Sequence, residues 1–340
     1  MIELIEKISK KPRPAGSKEL SKVRDVLVGK LKDLGFQVNL QKFPFTSWKL
    51  IEDPKIKINN EKVDVLPVVW SGSGVVKGTL KKANKIKTFE AYEWIRYKIV
   101  DSGKVKGYVI TRPDQVWLQL IDNKSKLPYF MIYPYTYKKI KNKENVKVKA
   151  SVKSKFLKNQ KIQNILTKNN SDKKIIVCAH YDSMIGTVGA NDNASGVSAL
   201  MEVAKENKNN ENLQFVLFSA EEFNKTGSYK YVNSLDKTGL KKIKLIINID
   251  MVGHGEPYCI CSKNLEAKIK NILPNNVNLS SKPRPPFDIW PFHKKKVNVV
   301  HFGSGPYDYC HDPKDTVDKI EKGPIKKTVK YVNKIISNFS

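Results

Sequence analysis

The fold of this chain is decided by residues 175–196, which read IIVCAHYDSMIGTVGANDNASG. The apolar run 175–179 is typical of a buried strand. Three side chains of the metal-ligand type follow in a polar loop: His180, Asp182 and Asp192. Ser195 is a candidate N-cap for the helix predicted next, because apolar residues then recur at helical spacing. A strand, a polar loop and a helix in this order hold ligands at the carboxyl ends of strands in open α/β sheets.

The chain beyond residue 164 repeats this alternation of apolar runs and amphipathic stretches. The predicted strands are 175–179, 214–218, 245–249 and 297–302. The predicted helices are centred on 197–206 and 229–235, and a last helix is expected to start at Pro324. The pattern predicts an α/β fold, with a mixed, largely parallel sheet and helices on both faces.

The chain before residue 164 has two different parts. In 1–45, Ser17 is predicted to cap a helix that ends at Gly35. In 46–155, short β-like runs are punctuated by Gly, Pro and Asn, and four of the five tryptophans lie in or beside this part. We expect these aromatic residues to form core, with a substrate-facing surface as the alternative. We therefore predict one domain formed by 1–45 and 156–340, with a smaller, mostly β domain inserted as 46–155.

The charge of the chain is strongly positive. Its 62 basic and 33 acidic residues give a formal net charge of +29. Only five of the basic residues are arginines, and the lysines are spread along the whole chain. Nucleic-acid proteins more often cluster arginine with aromatic residues on one face. We therefore favour a solvated, lysine-rich surface and expect no specific nucleic-acid partner.

The cysteines and the apolar runs of the sequence indicate the cellular compartment in which the protein is expected. The four cysteines form no CxxC pair, so a disulfide scaffold is not expected, and Cys178 is predicted to be a buried thiol. No apolar run approaches the length of a membrane span, and the first residues lack the apolar core of a signal peptide. We expect a cytoplasmic protein without a membrane partner; the sequence does not define its oligomeric state.

Residues of the metal-ligand type also follow the later strands. Glu221 and Glu222 follow the second predicted strand, Asp250 follows the third, and His311 lies in a loop after the last. Two imidazoles with carboxylates suit Zn²⁺, and a bridging carboxylate can hold two ions ~3.5–4 Å apart. Each of these features is common by itself. Their order and their shared sheet edge favour a metal centre.

Five motifs together resemble the dizinc exopeptidases, the family of leucyl aminopeptidase, aminopeptidase Y and glutamate carboxypeptidase. They are His180-Tyr181-Asp182, residues 189–196, Glu221-Glu222 with residues 227–231, residues 247–253, and residues 311–318. The resemblance covers about 164–340 and extends to 1–45 through RPAGSKE. Residues 46–155 resemble the protease-associated insert of that family only in position and β character.

The resemblance implies a metal-dependent exopeptidase, in the first place an aminopeptidase, with two zinc ions per chain that activate a water molecule for peptide hydrolysis. The implied zinc ligands are His180 and Asp250 for one ion, Glu222 and His311 for the other, and Asp192 as the bridge. The implied supporting residues are Glu221 as general base and acid and Asp182 as hydrogen-bond partner of His180. Apart from the resemblance, Tyr307 or Tyr309 is a candidate donor to the tetrahedral intermediate, with a packing role as the alternative.

Some positions depart from the family pattern, and some functions compete with an aminopeptidase. Cys310 stands just before the last histidine, where an aromatic residue is common in the family. A carboxypeptidase of the same family would need a cation such as Arg96, Arg112 or Arg284 to bind a terminal carboxylate. Two further candidate functions are a cyclase that acts on N-terminal glutamine and a non-catalytic, metal-free binding domain.

Overall fold

The structure is a computed structural model that describes residues 1–88, 92–118 and 125–339. It divides into two compact units. The larger unit consists of Met1–Phe45 and Lys161–Ser340, and the inserted unit is Thr46–Gln160. The boundaries expected from the sequence were 45/46 and 155/156.

The described helices are α1 (Ile2–Ile8), α2 (Lys18–Asp33), α3 (Pro134–Ile140), α4 (Gly196–Glu206), α5 (Thr226–Asn233), α6 (Lys237–Lys241), α7 (Glu266–Ile272), α8 (Trp290–Lys294) and α9 (Lys322–Phe339). The described strands are β1 (Val38–Ile58), β2 (Glu61–Val63), β3 (Val65–Pro67), β4 (Gly74–Lys82), β5 (Ile86–Thr88), β6 (Tyr92–Asp101), β7 (Lys104–Thr111), β8 (Tyr129–Ile132), β9 (Lys147–Thr167), β10 (Lys174–His180), β11 (Leu213–Phe218), β12 (Ile243–Ile249), β13 (Glu256–Cys261), β14 (Asn278–Ser280) and β15 (Val299–Gly305).

The sheet of the larger unit is mixed and largely parallel, as predicted. Its strand order is β14-β13-β15-β12-β10-β11-β9. The central strand β10 pairs in parallel with β11 and β12, and β12 pairs in parallel with β15. Pairing is antiparallel between β13 and β15 and between β11 and β9. Four neighbouring strands, β15, β12, β10 and β11, therefore direct their carboxyl ends to one edge.

Both faces of this sheet are covered. Residues 175–179 of β10 are fully buried, although successive side chains of a strand point to opposite faces. One face contributes Ile176 and Cys178 to a cluster with Tyr231 of α5 and Phe292 of α8. Helix α4 packs against β10, β11 and β12 and also contacts α9. A strand without polar positions is what burial on both faces requires.

The first long helix, α2, follows the prediction closely. The Ser17 hydroxyl accepts the backbone N–H of Leu20 at 3.0 Å, which caps the helix. Gly35 follows the helix with φ +92°, a left-handed conformation that glycine adopts without steric cost. The last helix, α9, begins at Lys322, two residues before the predicted start at Pro324.

The start of α4 differs from the prediction that Ser195 is its N-cap. Ser195 has helical dihedral angles, and its hydroxyl donates to the carbonyl of Asn191 at 2.8 Å. The N–H of Gly196 is instead accepted by the side-chain oxygen of Asn193 at 2.9 Å. The predicted cap is wrong because the backbone leaves helical dihedral angles at Asp192 and Asn193, so Asn193 is the residue placed to cap.

The inserted unit is mostly β, as predicted. Its sheet runs in the order β9-β4-β6-β7-β8-β3, with antiparallel pairing except between β7 and β8. Trp48 and Trp94 are buried in it, while Trp70 and Trp117 are half-buried. Aromatic burial in this unit therefore supplies core, the role expected for most of these tryptophans.

The cysteines agree with the sequence. All four cysteines are free, and Cys178 is fully buried in β10. Within the described ranges, no helix combines the length and the apolar character that crossing a membrane requires.

Candidate metal centre

The candidate ligands meet at the carboxyl edge of the four parallel strands of the larger unit. His180 is the last residue of β10, and Asp250 directly follows β12. Glu222 lies in the loop after β11, and His311 lies in the loop after β15. Asp192 enters from the loop between β10 and α4. Since parallel strands end at the same edge, residues far apart in sequence converge there.

Asp192 lies between the two histidines. Its Oδ1 is 3.2 Å from His180 Nε2, and its Oδ2 is 3.4 Å from His311 Nε2. His180 Nε2 is also 3.4 Å from Asp250 Oδ1, and His311 Nε2 is 3.0 Å from Glu222 Oε2. The five side chains therefore form two groups, each with one histidine, that share the carboxylate of Asp192.

The residues of this cluster fit divalent zinc. Nitrogen and oxygen ligands bound tetrahedrally at about 2.0–2.2 Å lie about 3.3–3.5 Å apart, close to the distances observed within each group. Glu222 Oε1 is buried and has no hydrogen-bond partner among the described residues. A buried, unpartnered carboxylate oxygen is costly unless a cation compensates it. The donor set and its burial therefore suit one ion in each group.

The electrostatics of the cluster favour positive charge at the histidines. Burial acts to lower the pKa of His180, but the carboxylates of Asp250, Asp182 and Asp192 raise it well above its usual value. Burial also acts to lower the pKa of His311, but the carboxylates of Glu222 and Asp192 raise it well above its usual value. Because the carboxylates dominate, the cluster attracts cations, either protons on the rings or metal ions between them.

Glu221 is separate from both groups of ligands. Its carboxylate makes none of the close contacts described above, although its neighbour Glu222 lies 3.0 Å from His311. Burial, with smaller contributions from Asp288 and Glu222, raises the pKa of Glu221 well above its usual value. A carboxylate with a raised pKa that lies outside the ligand groups is suited to taking up a proton and passing it on.

Asp182 organises the loop that carries the two glutamates. Its carboxylate accepts the backbone N–H of Glu221 at 3.1 Å and that of Glu222 at 3.3 Å. Its Oδ1 is 3.7 Å from His180 Nδ1, which is longer than an N–H···O hydrogen bond. The contact between Asp182 and His180 is therefore looser than expected from the sequence. The hydrogen bonds from the backbone of Glu221 and Glu222 to Asp182 were not indicated by the sequence.

Asp315, which the sequence analysis missed, holds the loop that carries Asp192. Its carboxylate accepts the backbone N–H of Asn191 at 2.8 Å and that of Asp192 at 3.0 Å. The Tyr307 hydroxyl donates a hydrogen bond to the Asp315 carboxylate at 2.6 Å. This hydroxyl, a candidate donor to the substrate, is therefore already hydrogen-bonded to the residue that holds the Asp192 loop. Tyr309 packs edge-on against Tyr307, with ring centroids 5.6 Å apart. The feature of the sequence that could have identified Asp315 is its position within the 311–318 motif.

Arg13 is a second residue that the sequence analysis missed. It is fully buried, and its guanidinium donates to the carbonyl oxygens of Tyr181 at 2.8 Å, of Gly189 at 3.0 Å and of Val188. Arg13 thus ties together both ends of the loop between His180 and Asp192. The feature of the sequence that could have identified Arg13 is the arginine in RPAGSKE, because most of the other basic residues of the chain are lysines.

Replacing Asp315 by asparagine should weaken zinc binding without unfolding the protein. The new amide nitrogen would face a backbone N–H, so one of the two bonds to the Asp192 loop would be lost. Loss of such an outer hydrogen-bond partner typically costs about 10–100-fold in metal affinity. Zinc titration against a competing chelator measures the change, and exposed Asp318, replaced in the same way, is the control. Equal affinity in the two variants would contradict the role of Asp315.

The chain is similar to known aminopeptidases in sequence and in fold. It is 40% identical over 112 residues to aminopeptidase YwaD of Bacillus subtilis (strain 168), which is 31% of this chain and 25% of that protein. It is 46% identical over 82 residues to leucine aminopeptidase 2 of Trichophyton rubrum, which is 23% of this chain and 17% of that protein. The matched stretches thus span about a quarter or less of these relatives.

The fold is similar over nearly the whole chain to that of a zinc aminopeptidase from Bacillus subtilis. The TM-score is 0.77 at 21% identity, and the match covers 99% of this chain and 93% of the other.

The match to a family model confirms the resemblance that the motifs predicted. It runs over residues 162–336, slightly more than half of the chain. It includes all five candidate ligands and Glu221. This chain therefore belongs to peptidase family M28.

Proposed function

We propose that this protein is a zinc-dependent aminopeptidase, which removes residues from the free amino terminus of peptides. The observation that carries the proposal is the pair of histidine–carboxylate groups joined by Asp192, with Glu221 beside them and outside both. Sequence relatives named as aminopeptidases and a structural neighbour named as a zinc aminopeptidase support the same reaction.

In this proposal, His180 and Asp250 would hold one zinc ion, Glu222 and His311 would hold the other, and Asp192, which lies between the two groups, would serve both. Bound zinc would supply Lewis-acid polarisation of the scissile carbonyl and a lower pKa for the attacking water. Glu221 accepts the proton from the water and delivers it to the leaving amine. Asp182 fixes the backbone from which Glu221 projects, and Asp315 and Arg13 fix the two sides of the loop that carries Asp192.

Charge favours a free amino terminus over a free carboxylate as the recognised end of the peptide. Bound zinc would compensate the carboxylates of the ligands, whereas the buried Asp182 and Asp315 lie outside the ligand set and leave negative charge beside the centre, which attracts a protonated amine. Of the arginines that could bind a terminal carboxylate, Arg112 already forms a charged pair with Asp114 and lies over the ring of Trp117, 4.9 Å from its centroid. Arg96 likewise lies over the ring of Tyr108.

A matched set of peptides tests the direction of cleavage. We expect the zinc-loaded protein to shorten a free peptide from its amino end and to cleave a C-amidated version equally well. N-acetylation should abolish cleavage, because the blocked amine carries no charge. Mass spectrometry of the products reads out the cleaved bond, and chelator-treated protein is the control. Cleavage of the acetylated peptide that C-amidation blocks would instead identify a carboxypeptidase.

A further inference from the structure

The thiol of Cys310 lies at one side of the candidate metal centre. Its Sγ is 3.7 Å from Asp192 Oδ2, the oxygen that also faces His311 Nε2 at 3.4 Å. One donor atom each from Asp192, Cys310 and His311 can be chosen so that all lie within 4.8 Å of one another. None of the roles described above uses this thiol.

The separations match those of ligands around a single ion. A sulfur ligand at about 2.3 Å and an oxygen ligand at about 2.0–2.2 Å lie about 3.5–3.7 Å apart in a tetrahedral arrangement. The Sγ to Oδ2 distance of 3.7 Å falls in this range. Independently of the cysteine, Glu222 on the same side of Asp192 has a buried oxygen without a hydrogen-bond partner among the described residues. That oxygen also points to a cation on the His311 side.

We propose that Cys310 is a thiolate ligand of the zinc ion on the His311 side, together with Glu222, Asp192 and His311. The inference rests on the proposed function, because it concerns one of the same two ions. A cysteine binds zinc as the thiolate, so its proton is released to solvent when the zinc–sulfur bond forms.

The proposal makes the two metal sites unequal. With Cys310, the His311 side offers four protein ligands, the number found in closed zinc sites. The His180 side offers three, from His180, Asp250 and Asp192, which is the number found in zinc sites that keep a position open for water or substrate. The side held by three residues would then be the one at which substrate exchanges.

The remaining cysteines provide a control within the same chain. Cys178, Cys259 and Cys261 are all buried in strands of the larger unit. Among the described residues, the groups of possible metal ligands include none of these three thiols. A zinc–sulfur bond in the wild-type protein should therefore depend on Cys310 and not on Cys261.

X-ray absorption at the zinc edge tests the proposal on protein first shown by mass spectrometry to hold two zinc ions. We expect one sulfur per two zinc ions at about 2.3 Å. The sulfur signal should be lost in Cys310→Ser and retained in Cys261→Ser. The serine variant should also bind one of its two ions more weakly than wild type. This loss of affinity should exceed the roughly 10–100-fold that typically follows removal of a hydrogen-bond partner of a ligand.

Two other outcomes would overturn the proposal. A two-zinc wild-type protein with only nitrogen and oxygen neighbours would exclude the thiolate and leave the proposed aminopeptidase function intact. A sulfur signal that persists in Cys310→Ser would assign the bond to another cysteine. Failure of the wild-type protein to bind zinc at all would instead overturn the proposed function itself, and the metal analysis detects this before any absorption measurement. The wild-type spectrum remains decisive if the serine variant does not fold.

Discussion

Glu221→Gln is expected to lower kcat by about 10²–10⁴-fold, the usual contribution of a general acid–base group. Glutamine preserves the shape of the side chain but cannot accept the proton from water. Zinc content should stay at the wild-type level, because Glu221 makes none of the close contacts that join the two histidine–carboxylate groups. The measurements are kcat on a free peptide and zinc content by mass spectrometry.

Asp192→Ala is the contrasting variant. Asp192 faces both His180 and His311, at 3.2 Å and 3.4 Å, so its removal should lower zinc content as well as activity. If Glu221→Gln and Asp192→Ala lost zinc to the same extent, the assignment of Glu221 as a base outside the metal sites would be wrong.

Arg13→Met should be the most destabilising single substitution discussed for this chain. Methionine fills a similar volume but leaves the buried carbonyl oxygens of Tyr181, Val188 and Gly189 without their donor. Burial lowers the pKa of Arg13 to about 10, against opposing contributions from nearby carboxylates, so the guanidinium is charged at neutral pH. Leaving a buried polar group without its partner typically costs about 1–3 kcal/mol, and three carbonyl oxygens lose their donor here.

Denaturant unfolding of zinc-free protein measures this cost without a contribution from metal binding. Arg24→Met is the control, because Arg24 is partly exposed and pairs with exposed Asp25, a contact worth about 0–1 kcal/mol. Arg13→Lys should recover little of the loss, since an ammonium group lacks the planar fork that reaches several carbonyls. Similar stabilities of Arg13→Met and Arg24→Met would show that the loop does not depend on Arg13.

Local features of the sequence were sufficient for the main elements of the larger unit. The apolar run 175–179 predicted a strand buried on both faces, because neither of its faces carries a polar residue. Ser17 was identified as a cap because its hydroxyl reaches an N–H only three residues further on. His180 and Asp250 were placed at one edge because each adjoins the end of a predicted strand.

The same local approach failed at Ser195. Serine is a favoured cap, but whether a residue can cap depends on its backbone dihedral angles. Here the backbone enters the helix only after Asn193, whose side-chain oxygen also accepts the N–H of Met251 at 3.1 Å. A hydrogen bond between residues 58 positions apart has no signature in the local sequence.

The sequence by itself determined which residue types reach the carboxyl edge of the sheet, because strand periodicity and polarity are properties of neighbouring residues. Only the tertiary structure decided that Asp192 directs one oxygen to each histidine and that Cys310 lies beside one of those oxygens. It also decided that Arg13 closes a loop that begins 168 residues further along the chain. Such contacts depend on how distant segments pack, and a distance of a few ångströms between them is not encoded in any local pattern.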